Sequence, residues 1–198
     1  MFDPSNSVSN TNLLGVVLAG GQSRRMGQRK ELLRLRDGTT MLERMLRILR
    51  PVTDLQVISG LQDNNEPHDI ALPSIIPDQA AFTGPLGGII AVTQCRKASG
   101  YLFVACDQPR LTKSLLEILL SHGTEVPTCF QSKANDFIEP IPCFLPSNVI
   151  GEISAMYQRG ERSVSKTLQT IGAHAVKLSQ DEFESLRGVN TKEEFDAL

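Results

Sequence analysis

The sequence lacks the features that mark membrane, nucleic-acid-binding and zinc proteins. Its apolar runs are shorter than the about 20 residues of a membrane-spanning helix. The formal net charge of −2 attracts neither nucleic acid nor an anionic membrane surface strongly. The cysteines show no C-x-x-C spacing, which favours scattered buried thiols in a reducing cytoplasm over a zinc site. We therefore expect a cytoplasmic protein that binds neither nucleic acid nor membrane. The cysteines are Cys95, Cys106, Cys129 and Cys143.

Several familiar catalytic patterns are also missing. The chain contains neither the G-x-x-x-x-G-K-[ST] loop of P-loop ATPases nor the G-x-G-x-x-G turn of dehydrogenases. Its histidines, His68, His122 and His174, are isolated in polar surroundings. No Ser-His-Asp or Cys-His arrangement stands out, so we assign no catalytic role to a histidine.

Strands and helices alternate along the chain, which is long enough for one domain with a large core. This pattern predicts a three-layer, doubly wound α/β fold with a mainly parallel sheet. We expect a flexible polar extension at 1–12 and a single domain at 13–198. Ligands of such sheets bind outside the carboxyl ends of the strands.

Four segments show the pattern most clearly. Leu13–Leu18 is a continuous apolar run of the kind that parallel sheets bury. A helix is predicted from Met41, where Thr40 and Glu43 are spaced for a capping box. Residues 101–109 form the clearest strand, and a last helix is expected after Thr191.

The stretch "LAGGQSRRMGQRKELL" leaves the first predicted strand through Gly20 and Gly21 and then concentrates positive charge. Backbone N–H groups of a glycine turn can approach a phosphate closely, and arginine and lysine can bind the same oxygens. This arrangement favours phosphate binding over a loop whose charges only keep it solvated. The cations are Arg24, Arg25, Arg29 and Lys30.

Asp107 ends a strand in "FVACDQPRL". A carboxylate at the carboxyl end of a strand is well placed to bind Mg²⁺, which prefers one or two carboxylates together with substrate phosphates. The alternative is an aspartate that caps the next helix, but Thr112 lies closer to that helix and fits the cap better.

The segment "SIIPDQAAFTGPLGGI" repeats this arrangement with Asp78 after a short strand. Asp78 could accept a hydrogen bond from a base or a ribose, and Gly84, Gly87 and Gly88 could leave room for a flat ring. The alternative is a glycine cluster that only permits tight turns.

Asn190, in "RGVNTKEEF", could offer its side-chain oxygen to a metal ion or could cap the last helix beside Thr191. Composition alone favours the cap.

Taken in order, these segments resemble the molybdenum cofactor guanylyltransferase family, from Leu13 to the end of the chain. That family belongs to the nucleotidyltransferases with a Rossmann-like, doubly wound fold. The opening element is shared among several branches of that group, and the late segments favour the guanylyl branch. The matching segments are "LAGGQSRRMGQRKELL", "PDQAAFTGPLGGI", "ACDQP", "GERSVSKTLQTIGAHAV" and "GVNTKEEF".

The resemblance implies a Mg²⁺-dependent transfer of GMP from GTP to molybdopterin carrying molybdenum, with release of pyrophosphate. It implies GTP and molybdopterin as partners, and it makes molybdopterin-carrying or molybdoenzyme-maturation proteins candidate partners. The catalytic residues would be Arg25, Lys30 and Asp107, with Asp107 and Asn190 at the metal. The nucleotide-binding residues would be Leu18, Ala19, Gly20, Gly21, Lys30, Asp78, Gly84 and Asp107.

Two positions depart from the family pattern and leave alternatives open. Arg29 stands where the family usually carries aspartate, and "MGQRKELL" also fits cytidylyltransferases that act on molybdopterin. Gly188 replaces the first asparagine of the N-x-N-T ending. The alternatives are a cytidylyltransferase or another NTP transferase of this fold, and a non-catalytic nucleotide-binding adaptor in cofactor delivery. The segment 135–146, "NDFIEPIPCFLP", is expected to line the acceptor side.

Overall fold

A seven-stranded mixed sheet forms the middle layer of the structure, a computed structural model that describes residues 12–20, 29–61, 72–77, 79, 82–122 and 125–198. The strands are β1 (Leu13–Leu18), β2 (Leu55–Ser59), β3 (Ser74–Ile76), β4 (Gly100–Ala105), β5 (Thr128–Ser132), β6 (Ile138–Pro146) and β7 (His174–Leu178). Their order across the sheet is β3-β2-β1-β4-β6-β5-β7.

The helices connect these strands and cover both faces of the sheet. They are α1 (Met41–Leu49), α2 (Gly84–Cys95), α3 (Lys113–Ser121), α4 (Ile150–Gln158), α5 (Val164–Thr170), α6 (Gln180–Glu184) and α7 (Lys192–Asp196). Short 3₁₀ turns occupy Lys30–Leu32, Arg50–Val52 and Ser147–Val149. Among the described residues, every helix is too short or too polar to cross a membrane.

The direction of the strands places many connections at one edge of the sheet. β1, β2, β3 and β4 are parallel, and β5 is parallel to β7. β6 runs antiparallel to β4 and β5, so it starts at the edge where the other strands end. From β1 the chain continues to β2, which is the neighbour of β1 on one side in the sheet. It later returns to β4, which is the neighbour of β1 on the other side. This change of direction opens a crevice at the carboxyl ends of β1 and β4.

Two apolar cores lie on opposite faces of the sheet, because successive residues of a buried strand point to opposite sides. In β1, Val17 belongs to the first core and Val16 to the second. The first core packs the sheet against α1, α3 and α6, and the second packs it against α2, α4 and α5. The predicted three-layer α/β fold is confirmed.

Most predicted elements are present, but the strand predicted over 101–109 ends at Ala105, so Asp107 lies in the turn that follows β4 rather than in the strand. Thr40 and Glu43 form the predicted capping box of α1. Thr191 and Glu194 form another at α7, and Thr112 caps α3. The sequence analysis missed α6, which has five residues and is too short to show a helical period.

The cysteines agree only in part with the expectation of buried thiols. Cys106, Cys129 and Cys143 are buried, and burial raises the pKa of each thiol, that of Cys129 to about 11. Cys95 is exposed at the end of α2, so the prediction is wrong for this residue. The proposed extension lies outside the described residues up to position 11.

Gly100 provides a test of packing in the sheet. A Cβ atom at this position would lie 2.6 Å from Cε2 of Phe144, whose ring is buried and cannot swing away. We expect Gly100→Ala to lower the free energy of unfolding by about 1–3 kcal/mol, as measured by urea denaturation.

The matched control is Gly151→Ala, on an exposed helical position where a Cβ atom meets no described atom within 4 Å. This change should raise the free energy of unfolding by about 0.5–1 kcal/mol. Equal stability of the two variants would contradict the packing argument.

Candidate active site

Three distant parts of the chain meet at the side chain of Lys30. Its Nζ atom donates to Oδ2 of Asp107 at 2.9 Å and to Oδ1 of Asn190 at 2.9 Å. Lys30 lies in the 3₁₀ turn that precedes α1, Asp107 follows β4, and Asn190 precedes α7. The side chains of Lys30 and Asp107 are 15% and 26% exposed, so the ion pair is only partly accessible to water. The structure therefore brings together the predicted phosphate-binding lysine and both predicted metal ligands.

Asp107 is held by the backbone on both of its sides. The preceding residue, Cys106, donates its N–H to the carbonyl oxygen of Leu18 at 3.1 Å, which continues the pairing of β4 with β1. The carbonyl oxygen of Asp107 accepts from the N–H of Val189 at 2.8 Å. A Cβ atom on Gly188 would lie 3.2–3.3 Å from the three carboxyl atoms of Asp107. Glycine at position 188 thus lets the chain before α7 approach this carboxylate closely.

The prediction that Asn190 caps the last helix is wrong. Thr191 is the cap of α7, and its side chain accepts from the N–H of Glu194. The backbone N–H of Asn190 donates to the Glu194 carboxylate at 2.7 Å, and its side-chain Nδ2 donates to Gly188 at 3.3 Å. Since these contacts use the N–H groups of Asn190, its side-chain oxygen faces Lys30.

Arg29, which departs from the family pattern, pairs with an acid that the sequence analysis missed. Its Nε atom lies 2.7 Å from Oε1 of Glu31, which is 6% exposed. The negative charge of Glu31 raises the pKa of the nearby Cys106 thiol, and the charge of Lys30 lowers it. Glu31 and Lys30 therefore both lie close to the end of β4.

The predicted nucleotide contacts at the end of β1 face the same edge of the sheet. The backbone N–H of Ala19 donates to the carbonyl oxygen of Ser59 at 2.8 Å, and Leu18 accepts from the chain beyond β4. Ala19 is buried, whereas Gly20 is exposed. Leu18, Ala19 and Gly20 thus lie at the crevice where ligands of this fold bind.

The glycines at the start of α2 serve different purposes. Gly84 has a φ of +70°, which favours glycine, and a Cβ atom there would meet no described atom within 4 Å. A Cβ atom on Gly87 would lie 2.7 Å from the carbonyl carbon of Phe82, and one on Gly88 would lie 3.1 Å from Cδ2 of Leu18. Protein atoms therefore occupy the space beside Gly87 and Gly88 that was expected to hold a flat ring. Of these three glycines, Gly84 alone has open space beside it. Gly21, Arg25 and Asp78, also named as site residues, lie outside the described residues.

Asp107 and Asn190 fit a magnesium ion. Their oxygens both lie 2.9 Å from one positively charged atom, Nζ of Lys30, so both can face a single cation. A carboxylate and an amide oxygen are the hard donors that Mg²⁺ prefers, and this ion takes further ligands from water and phosphate. The described residues form no group of three or more His, Cys, Asp or Glu that could enclose a metal ion. A Mg²⁺ ion that is bound to a nucleotide typically has only one or two protein ligands, because water and phosphate oxygens fill its other positions.

Gln108 ties the end of β4 to two other elements at this edge. The residue is 3% exposed, and its Nε2 atom donates to the carbonyl oxygens of Ile141 at 2.6 Å and Leu186 at 2.8 Å. Its Oε1 atom is buried and has no partner among the described residues. This side chain holds the start of β6 and the chain after α6 beside Asp107, a role that its sequence position did not indicate.

Glu139 is an ionisable group that the sequence analysis did not single out, although it lies in the segment expected on the acceptor side. Burial raises the pKa of its carboxyl to about 7, and the charge of Asp107 adds to this effect. A hydrogen bond from the backbone of Ile141 opposes the shift. Gln108, which follows Asp107, donates to Ile141, two residues beyond Glu139, and so connects the two parts of the chain.

Comparison of the sequence with known proteins identifies nucleotidyltransferases by two routes, a family model and individual relatives. A family model described as the MobA-like NTP transferase domain matches residues 15–174. A molybdenum cofactor guanylyltransferase of Pseudomonas aeruginosa strain PAO1 is 30% identical over 179 residues, which cover 90% of each chain.

Two solved structures resemble the fold. The molybdopterin-guanine dinucleotide biosynthesis protein A of Archaeoglobus fulgidus has a TM-score of 0.67 and 20% identity, with 93% of this chain and 95% of that chain covered. A nucleotidyl transferase of Methanothermobacter has a TM-score of 0.74 and 14% identity, with 93% and 94% covered. At these identities, the two structures support the Rossmann-like fold alone.

The pKa of Glu139 predicts how its replacement changes stability with pH. Below its ordinary pKa of 4.5 the carboxyl is protonated in both the folded and the unfolded chain. As the pH rises from 4.5 through about 7, the unfolded chain loses this proton first, which favours unfolding. Glutamine cannot ionise, so Glu139→Gln does not lose this stability. We expect its free energy of unfolding to rise relative to that of the wild type as the pH increases over this interval, measured by urea denaturation at several pH values. A difference that stays constant with pH would contradict the assignment.

Proposed function

Because the chain belongs to the MobA-like NTP transferase family, we propose that it transfers GMP from GTP to molybdenum-carrying molybdopterin and releases pyrophosphate. Nucleotidyl transfer in molybdenum cofactor biosynthesis follows from the family and from the guanylyltransferase relatives. The choice of GTP as donor and of molybdopterin as acceptor is the proposal. The observation that carries nucleotidyl transfer at this site is the meeting of Lys30, Asp107 and Asn190 at the carboxyl edge of the sheet, and the guanylyltransferase relatives support the choice of GTP and molybdopterin.

The reaction requires no nucleophile from the protein. A phosphate oxygen of molybdopterin attacks the α-phosphorus of GTP, and the bond from that phosphorus to the bridging oxygen of the β-phosphate breaks. Pyrophosphate leaves with the electron pair of that bond. Several negative charges meet in this step, so positioning and charge neutralisation can supply most of the catalysis.

Lys30 and the metal ligands suit this task. The ammonium group of Lys30 is positioned at the edge where the phosphates of a bound nucleotide would lie, and it would counter the charge of the departing pyrophosphate. Mg²⁺ held by Asp107 and Asn190 would neutralise phosphate oxygens and act as a Lewis acid. Nζ of Lys30 supplies a positive charge between these two oxygen atoms.

The remaining nucleotide contacts are proposed from the family pattern and from position. Leu18, Ala19, Gly20 and Gly84 lie on the side of the crevice toward β2 and α2. The open surface at Gly84 and the exposed Gly20 support a nucleoside on this side. The contributions of Gly21, Arg25 and Asp78 remain predictions.

The decisive experiment supplies purified protein with Mg²⁺, molybdopterin and either GTP or CTP, and measures the dinucleotide product together with pyrophosphate. We expect product from GTP and release of pyrophosphate only when molybdopterin is present. Product from CTP instead would identify the cytidylyltransferase that the sequence left open. Nucleotide binding without pyrophosphate release under all conditions would favour a binding adaptor and contradict the proposal.

Lys30→Ala should lower the rate of product formation by about 10²-fold or more, the usual effect of removing one charge-stabilising group. The matched control is Lys113→Ala, which removes an exposed lysine paired with Glu117 on α3. This control should leave the rate unchanged. Thermal melts of both variants separate a loss of activity from a loss of folding, and near-normal turnover by Lys30→Ala would refute its assigned role.

A further inference from the structure

An exposed aromatic side chain lies at the carboxyl edge of the sheet. Phe137 is 56% exposed. Among the described residues, the other large apolar side chains that are exposed, Leu55 and Val126, are aliphatic. Its ring contacts that of Phe183 on α6, with centroids 6.3 Å apart and planes at 90°. Phe183 is partly buried, so Phe137 is the exposed member of the pair. An exposed ring beside the crevice indicates a contact surface, since water is a poor environment for it.

The turn that carries Phe137 is well fixed. The backbone N–H of Ser132 donates to the carbonyl oxygen of Phe137 at 2.9 Å, and Asp136 donates back to Ser132 at 3.2 Å. The carboxylate of Asp136 also lies 3.1 Å from Nζ of Lys177 on β7. These contacts hold the backbone of the turn, and the contact with Phe183 orients the ring, so less entropy is lost on binding.

Phe137, Glu139 and Phe183 occupy one face of the sheet. Glu139 lies opposite Phe130 in the ladder of β5 and β6, and Phe130 belongs to the first core. Phe183 packs against the same core. Ile138, between Phe137 and Glu139, packs instead against the second core, as the alternation of side chains along a strand requires.

This face adjoins Asp107 through Gln108. The backbone N–H of Leu186 donates to the carbonyl oxygen of Phe183 at 3.0 Å, and the carbonyl oxygen of Leu186 accepts from the side chain of Gln108. Gln108 also binds Ile141, two residues beyond Glu139. Its buried Oε1 atom has no partner among the described residues.

The chemistry of these side chains suits one class of ring. A 2-amino-4-oxopterin presents two neighbouring N–H donors, from the ring and from the 2-amino group, and a carboxylate can accept both in a bidentate contact. The flat ring system can pack against aromatic side chains. A partly buried carboxylate gains more from such a contact than an exposed one, because water competes less.

We propose that Phe137, Phe183 and Glu139 form the acceptor subsite, in which the aromatic pair contacts a pterin ring and Glu139 accepts its two neighbouring N–H donors. This inference rests on the proposed function, since it names the part of the site that binds the acceptor. Guanine carries a similar donor edge, so GTP is the alternative source of this chemistry. The subsite lies on the β6 side of Asp107, and the proposed nucleoside contacts lie toward β2 and α2.

The test measures binding rather than turnover, with 6-hydroxymethylpterin as the probe and its fluorescence as the signal. The comparison ligand is 6-hydroxymethyllumazine, in which an oxo group replaces the 2-amino group. Measurements are made on the full chain with Mg²⁺ and GTP present. We expect the wild type to bind the pterin at least about tenfold more tightly than the lumazine, because the lumazine lacks one donor.

Two variants separate the two contributions. Glu139→Gln should remove most of the preference for pterin over lumazine, since its amide cannot accept both donors. Phe137→Ala should weaken both ligands by at least about fivefold and keep the preference, because stacking does not depend on the donor edge. The matched control is Leu55→Ala, which truncates a 58% exposed side chain at the opposite edge, and it should bind as the wild type does.

The outcomes distinguish this inference from the proposed function. Wild-type binding without preference, no binding at millimolar pterin, or unchanged binding by both variants would overturn the subsite. Any of these results with normal product formation would leave the guanylyl transfer standing. Loss of GTP binding, measured by calorimetry, in Glu139→Gln with pterin binding intact would assign the carboxylate to guanine and overturn the inference. The expected binding pattern without any product would support the subsite and contradict the transfer.

Discussion

The contact of the Lys30 ammonium group with Asp107 and Asn190 is the interaction on which the rest of the site depends. It joins residues that are 77 and 160 positions apart in the chain. A carboxylate oxygen and an amide oxygen that converge on one point repel one another. A positive charge between them removes this repulsion. Lys30 provides this charge, and the proposed reaction brings further cations and anions to the same place.

The sheet and its connections make this convergence possible. β1 and β4 are neighbours, so the chain segments that leave them start side by side at the carboxyl edge. The segment before α7 then reaches Asp107 because Gly188 carries no side chain that would press on the carboxylate. The departure from the family pattern at this position therefore has a structural consequence: the backbone comes close where an asparagine side chain would have occupied the space.

On the β6 side of Asp107, the carboxyl group of Glu139 is retained in an unfavourable environment. Desolvation raises the pKa of Glu139, so ionising this group near neutral pH opposes folding. Gln108 leaves a buried acceptor atom unpaired among the described residues. Polar groups retained at such a cost commonly serve ligands, and Glu139 lies two residues from the exposed Phe137. The two sides of Asp107 thus differ in character, with glycine backbone on one and aromatic and acidic side chains on the other.

The sequence by itself determined the layered α/β fold and the caps of α1, α3 and α7, because hydrophobic period and capping residues are local signals. It also singled out Lys30, Asp107 and Asn190 as candidates for phosphate and metal. It did not reveal α6, which is too short to show a period, or the pairing of Arg29 with Glu31. Only the tertiary structure decided that Asn190 faces Lys30 rather than capping a helix, and that Gly87 and Gly88 serve packing. It alone showed that Gln108 binds Ile141 and Leu186, and that Glu139 lies on this side of Asp107. These outcomes depend on contacts between segments far apart in the chain, and such contacts leave no pattern in the neighbouring residues.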